Sequence, residues 1–131
     1  SGYLVLAENL KRNSGLHGEA FNFGPSGDTN YDVEFLVREI AKNWENAKFH
    51  INLQEKQKNY EAGLLKLNCD KALHFLKWKP VLNFKETSSY TVNWYKNFYE
   101  GKVSLSKFTE TQILDYFKLA QKRKLTWAVQ F

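Results

Sequence analysis

The stretch that most constrains this chain is Tyr60–Pro80, YEAGLLKLNCDKALHFLKWKP. A polar pair, Tyr60-Glu61, crosses Gly63 into the apolar run Leu64-Leu65-Lys66-Leu67, which reads as a short extended segment. Asn68 then offers a side-chain oxygen that accepts from a backbone N–H two or three residues on, a helix cap. A short helix carrying Ala72, Leu73 and Leu76 follows. Trp78-Lys79-Pro80 stops it, because the residue before a proline is pushed out of helical space. Strand, cap, short helix, tryptophan and proline thus come in a fixed order, and the rest of the chain has to pack around them.

The other elements follow from spacing. Tyr3, Leu6, Ala7 and Leu10 recur at helical intervals over 3–11, and Asn13-Ser14-Gly15 ends that helix. Leu4 and Val5 widen its apolar stripe, as in a helix buried on more than one side. Ala20-Phe21-Asn22-Phe23 reads as a strand closed by Gly24, Pro25 and Gly27. The GPSG turn after it has neither of the usual phosphate-loop spacings. The clearest helix spans 29–44, with Val33, Leu36, Val37, Ile40 and Trp44 on one stripe. Asp32, Glu34, Arg38, Glu39 and Lys42 take its other side, with Glu34 and Arg38 four apart. Lys48–Leu53 alternates polar and apolar and is expected to pair with the Phe21–Phe23 strand, while 54–59 reads as a loop. A long helix over 84–100 ends at Gly101, and 102–108 reads as linker. Thr109 and Gln112 form a capping-box pattern for a last helix over 109–124 with Ile113, Tyr116, Phe117 and Ala120 buried. The tail, 125–131, has no readable role.

Composition narrows the function classes. The chain has 131 residues and 43% hydrophobic content, enough for one domain with a core. Its single cysteine, Cys69, forms no internal disulfide, which points to a reducing cytoplasm. His17, His50 and His74 do not share zinc-ligand spacing with one another or with Cys69. No apolar run is long enough for a membrane helix. The formal charge is +5, and residues 105–131 carry five Lys/Arg against two acids. That end reads as a solvated basic helix terminus, and no nucleic-acid-binding motif accompanies it. Trp44, Trp78, Trp94 and Phe98 read as core.

Glu61-Ala62, Leu65-Lys66-Leu67, Cys69, Lys71-Ala72, Leu76, Trp78 and Pro80, together with the earlier AFNFGP, carry a family resemblance. They resemble the C-terminal part of the extended short-chain dehydrogenase/reductases that act on sugar nucleotides, and within these the CDP-glucose 4,6-dehydratases. Tyr60 stands where that pattern has His, Asn68 where it has Asp and Lys77 where it has Gly. The resemblance covers nearly the whole chain. It implies a mostly helical α/β fold: a short two- to three-stranded sheet packed with about five helices. It also implies that the first helix lies against a nucleotide-binding sheet outside this chain. The implied full-length reaction converts CDP-glucose to its 4-keto-6-deoxy sugar with bound NAD.

The chemistry of that reaction is not in these residues. Four positions beyond each of the seven tyrosines there is no lysine, so the Tyr-x-x-x-Lys pair is absent. No Gly-rich turn links a long strand to a helix, and Asp-Glu does not occur. NAD is therefore expected in the full-length protein and not on this chain alone, which is expected to be inactive by itself. What the resemblance leaves is a substrate side, residues 1–131 as one sugar-nucleotide-binding region. Glu61 is expected to accept from ribose hydroxyls or a cytosine amine, and Tyr60 to stack or donate its hydroxyl. Lys58, with Lys56 beside it, is expected to attract a diphosphate. Partners on this reading are a CDP-sugar, a nucleotide-binding N-terminal Rossmann part, and a second copy meeting the exposed first helix; neither nucleic acid nor membrane is expected. The competing reading is a non-catalytic interaction module driven by the basic C-terminal helix.

Overall fold

The computed structural model describes residues 1–26, 31–44, 47–50, 67–101 and 103–129. Among them the fold is all helix: α1 (Gly2–Arg12), α2 (Val33–Asn43), α3 (Asp70–Leu76), α4 (Phe84–Glu100) and α5 (Leu105–Lys122). Two short 3-10 turns, Ser14–Leu16 and Thr126–Ala128, follow α1 and α5. No helix among the described residues is long and apolar enough to cross a membrane.

The expected sheet is not there. Residues 20–23 and 48–50 form no strand, and no strand occurs elsewhere among the described residues; positions 51–66, which held the rest of the expected pairing, lie outside them. The alternation of Phe21 and Phe23 has another cause. Phe23 turns into the core, edge-on to Trp78 at 5.0 Å and to Tyr3 at 5.6 Å. Phe21 lies under the Lys71 ammonium at 5.1 Å, and that ammonium also pairs with Glu19. Segment 19–24 is tied to the entry of α3 by side chains: Asn22 Nδ2 donates to Asn68 O at 3.3 Å. An alternating pattern marks two-faced burial, and here the partner is a helix entry, not a ladder.

Each helix has local reasons to start and stop. Asp32 caps α2 by accepting from Phe35 N at 2.7 Å, three residues inside the expected start. Asn68 accepts from Asp70 N at 2.8 Å, the bond expected of it, but it stands one residue outside the helix: the N-cap of α3 is Cys69, whose side chain makes no capping bond. Asn83 and Glu86 form a reciprocal capping box at the head of α4, and Gly101 closes it at φ 61°. The last helix corrects the expectation most. It begins at Leu105, so part of the expected linker is helical. Thr109 and Gln112 are interior residues. Thr109 Oγ1 donates to Leu105 O at 2.8 Å and accepts from Trp94 Nε1 at 2.9 Å. Gln112 Nε2 donates to Tyr90 O at 2.9 Å, so both residues fasten α5 to α4.

The core has two centres. One gathers Leu16, Ala72, Leu76 and Trp78, with Val5, Leu6, Leu10, Phe21 and Phe23 against them. The other gathers Val81, Ala120 and Ala128, with Leu82, Tyr116, Phe117 and Leu125 around them. Trp127 packs on both. The α2 helix packs on α4 and α4 on α5, while α1 meets α3. Of the four aromatics expected in the core, Trp78 is buried, Trp44 and Trp94 are half-buried and Phe98 is exposed. The expected face of α2 is also turned. Val33 and Leu36 are exposed, whereas Glu39 is buried at 4% exposure and pairs with Lys42. Glu34 and Arg38 do pair as expected, at 2.7 Å.

Candidate functional site

The residues expected to touch the nucleotide, Tyr60, Glu61 and Lys58, lie outside the described residues, as does Lys56. Their described neighbours are Leu67–Asp70, which run beside Gly24. A Cβ on Gly24 would stand 3.4 Å from Leu67 Cδ1 and 3.5 Å from Cys69 Sγ, ordinary contact distances. Cys69 is half-buried, with its thiol 3.9 Å from Leu67 O. His17, His50 and His74 are all exposed, and His17 Nε2 sits 3.0 Å from Leu10 O. Among the described residues no three His, Cys, Asp or Glu side chains gather as a metal site would require.

The described concavity is elsewhere. It is a half-open groove of about 940 Å³ between α1, the end of α3, α5 and the turn at Thr126–Ala128. Leu4 and Val5 of α1 form one wall; Ile113, Tyr116 and Phe117 of α5 form the other, with Phe75 and Trp127 at its ends. Leu4 at 78% exposure and Ile113 at 63% stand open at its mouth. Of the four α5 residues expected in the core, Ala120 is buried and Tyr116 and Phe117 are half-buried, but Ile113 is exposed on the groove side.

Polar groups on the walls are mostly engaged with the protein. Ser1 Oγ lies 2.7 Å from Tyr116 Oη and accepts from Trp78 Nε1 at 3.1 Å, which joins α1 to α5. Glu8 and Arg12 pair across one turn of α1 at 2.6 Å. Tyr90 also lines the groove, and burial, with the charges of Asp115 and Glu86 behind it, raises its phenol above the ordinary value. It therefore stays protonated and acts as a neutral donor or acceptor.

Behind the groove, Lys118, Lys122 and Lys124 at the basic end of α5 are exposed, as expected of a solvated terminus, and the exception is Arg123, which its neighbours hold. Arg123 forks onto Glu86 at 2.6 and 3.0 Å and donates to Val81 O. Sequence reasoning passed over Asn83-x-x-Glu86, Phe75 and Trp127. The first is a capping-box signature that was readable. Trp127 sits in Leu125-Thr126-Trp127-Ala128, a small apolar cluster after a charged run that could have marked a packed turn.

Comparison with known proteins gives one relation. The chain is 33% identical over 116 residues to the CDP-glucose 4,6-dehydratase of Salmonella typhimurium, which is 88% of this chain and 32% of that protein. It therefore spans about a third of the length of the curated relative it matches. The resemblance read from the sequence is borne out. No family model matches the chain, and no solved structure matches it.

Proposed function

We propose, starting from the chain's homology to CDP-glucose 4,6-dehydratase over most of its length, that it forms the substrate side of a two-part sugar-nucleotide dehydratase. The observation that carries this reading is the 116-residue similarity to a dehydratase three times as long, in a chain without the reaction's own groups. The residues present do not fit NAD. They offer no Gly-rich turn between a strand and a helix N-terminus, and no Tyr-x-x-x-Lys pair. On this reading the redox half, with its NAD, belongs to the remaining two thirds of the relative's length.

The surface of α1 supports a further half. Its inner side, Val5, Leu6 and Leu10, packs on the core, while Tyr3 is 82% exposed and Leu4 stands beside it in solvent. An apolar ridge of that kind is the sort of surface a second part covers. Glu61 and Tyr60 then meet the nucleotide, with Lys58 near its diphosphate.

Titration of the chain with CDP and with CDP-glucose, followed by tryptophan fluorescence, tests this. The expected outcome is weak binding of both ligands, lost in Glu61→Ala and Tyr60→Ala. Failure of CDP to change the signal at millimolar concentration overturns the reading. So does binding that survives Glu61→Ala undiminished.

A further inference from the structure

We draw no further inference here: the strongest candidate, the half-open apolar groove between α1, the end of α3, α5 and the turn at Thr126–Ala128, carries nothing, because Leu4 at its mouth belongs to the surface already assigned to a further half and nothing in the structure shows what covers the rest.

Discussion

Glu86 is where three interactions converge on one side chain. It accepts from Asn83 N at 2.8 Å and holds Arg123 by two bonds. The Arg123 hydrogen bonds, reinforced by the Asn83 amide and the guanidinium charge, keep its carboxyl below the ordinary glutamate value, although burial opposes this. A depressed folded pKa stabilises the fold above the unfolded value, about 4.3 for glutamate, and that contribution disappears as pH falls through the folded value. Arg123→Ala is therefore expected to cost about 1 kcal/mol at neutral pH, a figure discounted for the pair's partial exposure. The cost shrinks toward pH 3 (roughly one unit below the free glutamate value). Urea titrations of both proteins across that range measure it. Gly2 is constrained differently. A Cβ there would fall 2.5 Å from Phe23 Cδ1. The Phe23 ring is half-buried and meets Tyr3 and Trp78 edge-on, so making room for the methyl group disturbs both contacts. Gly2→Ala is expected to destabilise the chain by about 1–3 kcal/mol, read from its urea midpoint.

At the scale of elements, the sequence was most legible where local chemistry decides the outcome. The bounds of α4 and its Gly101 cap follow from periodicity and a left-handed glycine, and both are as expected. The start of α5 was misread because Thr109 and Gln112 imitate a capping box while serving as fasteners between helices. Periodicity does not separate a cap from a crosslink, since that depends on which neighbour lies alongside. The strands failed for a similar reason: Phe21 and Phe23 alternate because their two faces meet different partners. Glu39 was read as solvated because charge usually is, yet Lys42 one turn on satisfies it where it is buried. The nucleotide contacts read from the resemblance, Tyr60, Glu61 and Lys58, lie outside the described residues, and the groove was not legible at all, because it is assembled from five separated elements and no local spacing encodes it. Thr109→Val tests the fastening role. It leaves Trp94 Nε1 without its acceptor and is expected to cost about 1–2 kcal/mol by chemical denaturation. The companion Thr109→Ser, which keeps the hydroxyl, is expected to cost less.

At the scale of the molecule, two apolar centres share one large side chain. Trp127 packs against the α1–α3 centre and against the α5 centre, within 6.3–6.4 Å, ring to ring, of Tyr116 and Phe117. A single tryptophan in that position couples the two halves of the fold. Trp127→Ala is expected to lower stability by roughly 3 kcal/mol, toward the lower part of the range for large aromatic truncations because the ring is only half-buried. The same change is expected to broaden the thermal transition, as the two centres melt with less mutual support. Scanning calorimetry reads both effects. This arrangement also bears on how the chain is made. A polypeptide emerging from the ribosome can assemble α1 to α4 as it lengthens, yet the brace between the halves is not available until translation has passed Trp127.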